Sequence, residues 1–128
     1  MSSLGAAVPV LRIFDVALAR RFYLDRLGFE VEFEHRFAEG LPLYLGIRRG
    51  DCRIHLSEHY GDGTPGTAVW IPMRDVVGFR AEFFERSAGE APFPGIEDDA
   101  PGGATMVVPD PFGNMLRFAE SGDADADG

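Results

Sequence analysis

The end of the sequence predicts a tight turn followed by a strand. Residues 110–114, DPFGN, contain a proline that presets a turn conformation, and a glycine and an asparagine that tolerate left-handed backbone. Residues 115–120, MLRFAE, then alternate, so that Arg117 is predicted on the face opposite to Leu116 and Phe118. The alternation indicates a strand with one buried face and one open face.

The same pattern occurs once before, near the middle of the chain. Residues 50–58, GDCRIHLSE, again place a glycine turn before a short strand that ends in glutamate. Aligning Glu58 with Glu120 gives an offset of 120 − 58 = 62 residues, which places His55 at the position of Arg117. We therefore expect two equivalent strands, one at the end of each half of the chain.

Each half also contains one predicted helix with a start signal and a stop signal. Asp15 and Asp75 are predicted N-caps, and Gly28 and Gly89 are predicted C-terminal stops. The aspartates are 75 − 15 = 60 residues apart and the glycines 89 − 28 = 61 residues apart. The predicted helices are residues 16–27 and 76–88.

Apolar runs and alternation predict four strands in each half. Pro9 cannot donate a ladder hydrogen bond, so the first strand is expected at a sheet edge or reaching to another chain. The histidine at position 35 is assigned to the loop after the second strand. The predicted strands are 8–14, 29–34, 42–47 and 52–58 in the first half, and 67–73, 91–96 (a weak pattern), 104–108 and 115–120 in the second.

The chain therefore predicts an α+β fold of two consecutive βαβββ modules. Module one is residues 7–59 and module two is residues 67–120, and a glycine-rich connection joins them into a single domain, 1–120. Two such modules side by side would form a curved mixed sheet with a central cleft. The acidic tail, 121–128, is predicted to be disordered.

Composition and charge narrow the possible partners. The chain has 128 residues and a formal charge of 12 − 21 = −9, which argues against a nucleic-acid surface. No apolar run is long enough for a membrane span, and no signal peptide is recognised. With a single cysteine, Cys52, no internal disulfide can form. We expect a cytoplasmic protein that uses neither nucleic acid nor membrane as a partner.

Several motifs together resemble one superfamily. These are the Asp-Val helix entries at residues 15–16 and 75–76, the segment FYLDRLGF at 22–29, and DPFGN at 110–114. They are similar to the vicinal-oxygen-chelate superfamily of glyoxalase I, extradiol dioxygenases and bleomycin-resistance proteins, and most of all to the last of these. The resemblance implies a homodimer whose N-terminal strand is exchanged or docked across the interface, with clefts shared between the chains.

The resemblance also carries over four metal-binding positions. Superfamily enzymes hold a divalent metal with one residue from the first and last strand of each module, which here are Val8 or its neighbour, His55, Val69 or Trp70, and Arg117. Of these only His55 can coordinate a metal, whereas a catalytic site needs about three protein ligands. We therefore predict no metal, no other cofactor and no catalytic residue.

The predicted ligand-binding residues are those expected on or near the cleft. The resemblance places His55 and Arg117 in it. Trp70 is either part of the core or a surface on which a ligand stacks. Phe37, Tyr44 and Phe93 either stack on a ligand or pack locally. His59 reaches the cleft only if its loop folds back. The residues are Phe37, Tyr44, His55, His59, Trp70, Phe93 and Arg117.

The function that the resemblance implies is non-catalytic binding and sequestration of an antibiotic, as in resistance to bleomycin. The acidic surface suits a cationic glycopeptide. Arg117 suits one less well, so another hydrophobic antibiotic or a biosynthetic intermediate remains open. The alternatives are a metal-dependent lyase, isomerase or dioxygenase of the glyoxalase kind, and an interaction module with an unused cavity.

Overall fold

The fold was analysed in a computed structural model that describes residues 2–36, 38–99 and 103–121. Each half contains a first strand, a helical segment and three further strands. The elements of the first half are β1 (Val10–Arg12), α1 (Val16–Arg20), a π-helical segment (Arg21–Arg26), β2 (Glu30–His35), β3 (Tyr44–Arg49) and β4 (Cys52–Ser57). Those of the second half are β5 (Ala68–Met73), α2 (Val76–Ser87), β6 (Ile96–Glu97), β7 (Thr105–Pro109) and β8 (Met115–Glu120).

The strands form two four-stranded mixed sheets, one in each module. Their orders are β1-β4-β3-β2 and β5-β8-β7-β6, so the first strand of each module pairs with the last. Both of these pairs are parallel, and the other pairs are antiparallel. The predicted α+β fold of two consecutive βαβββ modules is confirmed. As Pro9 required, β1 begins at the next residue and lies at a sheet edge.

The first helix differs from the prediction of one continuous α-helix. After Arg20 it widens into the π-helical segment, in which the Leu27 amide donates to the Phe22 carbonyl at 3.0 Å, five residues back. Phe22, Tyr23 and Arg26 of this segment are all buried. Gly28 then ends the segment at φ +79°, as predicted.

Two strand predictions in this chain were also inaccurate. The weak strand 91–96 is reduced to β6, because backbone carbonyls before it accept side-chain donors instead of ladder amides. The guanidinium of Arg26 binds the carbonyls of Glu90 and Ala91 at 2.9 Å, and that of Arg80 binds the Pro94 carbonyl at 2.8 Å. His35 lies in β2 rather than in a loop, since it pairs with Tyr44. The predicted tail, apart from Ser121, lies outside the described residues.

The second helix is capped from two directions. The Asp75 carboxylate accepts from the Gly78 amide at 3.0 Å, and the Glu120 carboxylate accepts from the amides of Asp75 and Val76 at 3.0 and 2.8 Å. The glutamate that ends β8 therefore satisfies amides that the helix leaves unpaired. At the other end Gly89, at φ +82°, follows the last turn as predicted.

The DPFGN turn holds the two modules together. One Asp110 carboxylate oxygen accepts from the amides of Phe112 and Asn114, both at 2.8 Å. The other accepts from the Asn114 side chain at 2.8 Å and from the Tyr23 hydroxyl of the first module at 2.7 Å. Because Asp110 and Asn114 are buried, the motif that carries the resemblance forms a structural joint. Apolar side chains from both modules form one continuous core around it.

Candidate ligand-binding site

Each sheet buries one face against the helices and leaves its other face open. On β4, Ile54 and Leu56 are fully buried, whereas His55 between them is half-buried. On β8, Arg117 is exposed between buried Leu116 and Phe118. The two open faces therefore carry His55 and Arg117 at equivalent positions. Their neighbours in register on the first strands are Val10 and Trp70.

The open face of the first sheet carries an aromatic cluster, which consists of Phe33, Tyr44 and His55. The Phe33 and Tyr44 rings stack with centroids 6.2 Å apart at an angle of 14°. The edge of each ring meets His55, with centroids 5.1 Å from Phe33 and 5.2 Å from Tyr44. Gly46 lies in register between Phe33 and His55, and a Cβ atom there would overlap the Phe33 ring. The cluster exists because this strand position has no side chain.

Within this aromatic cluster, a hydrogen bond orients the histidine. The Tyr44 hydroxyl lies 2.8 Å from His55 Nδ1. Burial, followed by the negative charge of Asp62, raises the pKa of Tyr44, so its phenol is neutral near pH 7. When this phenol donates to Nδ1, Nε2 carries the imidazole hydrogen and is the donor that His55 offers to a ligand.

Phe33 was missed by the sequence analysis. Strict alternation over residues 29–34 would place it with Phe29 and Val31, but the pairing of β2 with β3 shifts between Val31 and Phe33. This bulge turns Phe33 to the open face, where its side chain is 41% exposed. The signal was Gly46 in the middle of a predicted strand, since an isolated strand glycine often marks a bulge or a close approach.

The open face of the second sheet carries the predicted tryptophan and arginine side by side. Trp70 on β5 is 50% exposed and pairs in register with Arg117 on β8, which in turn pairs with Val107 on β7. The core-filler interpretation of Trp70 does not fit this exposure. Its ring is an exposed apolar surface, and Arg117 is its neighbour in register on β8.

Three predicted residues lie outside these groups. Phe93 is in the loop before β6, where its ring packs edge-on against Phe84 of α2 at 5.7 Å. His59 follows β4, and its amide donates to the Ser57 hydroxyl at 3.0 Å. Phe37 lies outside the described residues. The structure therefore brings Tyr44 together with His55, and Trp70 together with Arg117.

Three cavities in the described part of the chain lie away from these residues. One of about 300 Å³ lies between the modules and is lined by Cys52, Ile71, Phe79 and neighbouring side chains. Two larger cavities, of about 520 and 450 Å³, border Asp15 and Tyr60 respectively. None of the three is lined by Tyr44, His55, Trp70 or Arg117. Within one chain, Tyr44, His55, Trp70 and Arg117 lie on open sheet faces.

The described residues were also compared with the requirements of a metal site and of a membrane span. In residues 2–36, 38–99 and 103–121, no three His, Cys, Asp or Glu side chains are grouped so that they could hold a metal ion. Over the same residues, no helix has the length and apolar character needed to cross a membrane.

The fold and the equivalent open faces define a protein of the vicinal-oxygen-chelate type. Each module is βαβββ, its first and last strands are parallel neighbours, and His55 and Arg117 lie at equivalent positions of the last strands. A family model described as "Glyoxalase superfamily protein" matches residues 3–125. The chain belongs to the glyoxalase superfamily.

Solved structures with this fold include several antibiotic-binding proteins. A bleomycin-binding protein from bleomycin-producing Streptomyces verticillus, complexed with copper(II)-bleomycin, is 31% identical; the match covers 94% of this chain and 99% of that one, with a TM-score of 0.70. A bleomycin resistance determinant encoded on the transposon Tn5 is 22% identical, over 93% and 99% of the two chains, with a TM-score of 0.65. An antibiotic binding protein from Streptomyces sp. CB03234 is 16% identical, over 94% and 99%, with a TM-score of 0.65. The latter two support the fold alone. Among curated proteins no sequence matches this chain.

Proposed function

We propose that this protein binds a hydrophobic, antibiotic-like small molecule and sequesters it without changing it chemically. Bound ligand is kept from its cellular target, so that the protein protects the cell that contains it. The predicted ligand-binding residues Tyr44, His55, Trp70 and Arg117, joined by Phe33, form the binding surface.

The observation that carries this proposal is the presence of aromatic rings on both open sheet faces. Phe33 and Trp70 are large apolar side chains on surfaces that no described element of the chain covers. Rings presented this way stack on flat ligands, and the His55 imidazole and Arg117 guanidinium beside them supply hydrogen-bond donors. The likeness to the Streptomyces verticillus bleomycin-binding protein over nearly the whole chain supports the same function.

The proposed assembly is a homodimer in which a second copy turns the open faces into clefts. Ligand pockets normally bury most of a drug-sized molecule, which a single open sheet face cannot do. A partner chain placed over the faces would enclose a ligand between stacked rings. We also propose that the protein acts in the cytoplasm.

Isothermal titration calorimetry with metal-free bleomycin and a panel of hydrophobic natural products tests the proposal. We expect saturable binding of at least one compound, with one site per chain. Phe33→Ala and Trp70→Ala should each weaken that binding by about tenfold, because removing a stacking ring costs about 1–3 kcal/mol. The matched control is Val77→Ala, which removes an exposed apolar side chain from α2.

Two results would contradict the proposal. One is the absence of saturable binding across the panel by a folded, full-length protein. The other is a stoichiometric, tightly held Ni, Zn, Mn or Fe ion in purified protein together with turnover of a bound compound, which would favour a glyoxalase-type enzyme.

A further inference from the structure

The charged side chains of the two open faces are distributed unequally. On the first sheet Arg48 and Arg53 are neutralised by neighbouring carboxylates: Arg48 lies 3.1 Å from Glu30, and Arg53 lies 3.1 Å from Glu32. Arg12 on β1 instead donates to the carbonyls of Ile13 and Glu58, at 3.2 and 2.8 Å. The guanidinium groups of Arg12, Arg48 and Arg53 are therefore all engaged within the chain.

The second sheet has an arginine with no such compensation. Among the described residues, Arg117 has no ion pair, hydrogen bond or ring contact. Its neighbours in register are Trp70 and Val107, and Ala68 and Pro72 are also exposed on β5. Arg117 is therefore a cation with apolar and aromatic neighbours in register, and Glu97 on β6 lies two strands away from it.

An uncompensated guanidinium in such surroundings favours an anionic ligand group. A guanidinium binds a carboxylate through two parallel hydrogen bonds, and the pairing is stronger where apolar side chains exclude water. The overall charge of −9 opposes this only weakly, because salt screens charges beyond about 8 Å. Contact with Arg117 therefore outweighs the more distant carboxylates.

The register also limits where the acidic group lies on the ligand. Trp70 and Arg117 are direct neighbours on adjacent strands, and adjacent strands lie about 4.8 Å apart. A ring stacked on Trp70 therefore lies within reach of the Arg117 side chain, so that an acidic group attached to the ring can contact the guanidinium.

From this geometry we infer that the second sheet binds a planar aromatic acid, with its ring on Trp70 and its carboxylate on Arg117. The inference rests on the proposed function and narrows its ligand class. It argues against a strongly cationic glycopeptide as the ligand of this face.

Three probes that share the pyrene ring and carry an anionic, a neutral or a cationic substituent test the inference: pyrenecarboxylate, pyrenecarboxamide and pyrenemethylamine. With the full-length protein, fluorescence titration should show the carboxylate binding about tenfold or more tightly than the amide, and the amine binding most weakly. Arg117→Gln should remove the difference between acid and amide, because it lowers the affinity for the acid more than that for the amide. Trp70→Ala should weaken binding of acid and amide by equal factors.

The control separates local charge from total charge. Arg21→Gln replaces an exposed arginine that lies 3.0 Å from Glu90 and is not on either open face. Both glutamine variants change the net charge from −9 to −9 − 1 = −10. Loss of the acid preference in Arg21→Gln as well would overturn the inference, because the preference would then come from the general field of the protein.

The remaining outcomes distinguish the inference from the proposed function. Equal binding of all three probes to the wild type overturns the inference and leaves sequestration intact. A second outcome has the same meaning: no pyrene probe binds, while a natural product binds the wild type and Arg117→Gln with equal affinity. That result also overturns the inference and leaves sequestration intact. If neither the probes nor the natural-product panel bind, the proposed function and the inference both fail.

Discussion

Tyr23 and Asp110 are 87 positions apart in sequence, yet their side chains share a buried hydrogen bond of 2.7 Å. Burial is the main reason that the pKa of Tyr23 is raised well above its ordinary value, and the negative charge of Asp110 adds to it. The phenol therefore stays neutral in the folded protein under conditions in which a solvated tyrosine ionises.

Replacing this tyrosine should destabilise the protein in a pH-dependent way. Tyr23→Phe leaves Asp110 with one donor fewer, and we expect the free energy of unfolding to fall by about 1–3 kcal/mol at pH 7. Above pH ~10 the unfolded wild type releases the tyrosine proton while the folded state retains it, so this contribution declines as pH rises. Urea unfolding at pH 7, 9 and 10.5 should show that the difference in free energy of unfolding between wild type and Tyr23→Phe is constant from pH 7 to 9 and decreases between pH 9 and 10.5.

A constant gap across that pH range would mean that the Tyr23 pKa is not raised by folding. Tyr60→Phe is the matched control, since that ring is exposed. It should change neither the stability nor its pH dependence.

Arg26 of the π-helical segment connects the first module to helix α2 of the second. Arg26 is buried, and its guanidinium binds the Ser87 hydroxyl at 2.7 Å and two backbone carbonyls after α2. It also lies 4.7 Å from the centre of the Phe83 ring. One side chain of the first module therefore fastens the C-terminal end of α2 in the second.

Substitution of this arginine should have a large effect even when its charge is kept. Arg26→Lys loses the planar fork, and we expect the free energy of unfolding to fall by about 2–4 kcal/mol in chemical denaturation. Arg21→Lys, at an exposed ion pair in the same segment, should change it by less than about 1 kcal/mol. Equal effects of the two substitutions would contradict the role assigned to Arg26.

At the scale of the whole molecule, the exposed sheet faces raise the question of whether two copies of the chain associate. The chain exposes Phe33 and Trp70 on sheet faces, and residues 2–7 are exposed and form neither helix nor strand. β1 pairs with β4 of its own chain, and the exposed segment before it is, with the open faces, a surface available to contact a second copy.

Sedimentation analysis should show a homodimer with twice the 14.0 kDa mass of the chain. Deletion of residues 2–6 should shift the equilibrium toward monomer and weaken ligand binding in parallel, because the proposed cleft is shared between two chains. Val77→Ala should remain dimeric. A monomeric wild type that still binds ligand at full affinity would show that one open face is sufficient.

Much of the architecture follows from local sequence. Asp15, Asp75, Gly28 and Gly89 mark the helix ends by their intrinsic backbone and capping preferences, and these act over only a few residues. The alternation around His55 and Arg117 likewise decides which face each side chain occupies, since a strand has a period of two. For this reason the sequence predicts both modules and two of the main candidate residues.

Tertiary structure alone decided the rest. The π-helical segment, the bulge before Phe33 and the joint between Tyr23 and Asp110 depend on partners distant in sequence, which no local pattern contains. Trp70 could be interpreted as core or as binding surface until the sheet showed which of its faces the helices cover. The sequence by itself determined the repeat and the side-chain parity, because these arise from local backbone geometry. Packing between segments decided that the rings of Phe33, Tyr44 and His55 meet and that, in the described part of the chain, Arg117 has no counter-charge. Only packing brings together residues that are distant in sequence.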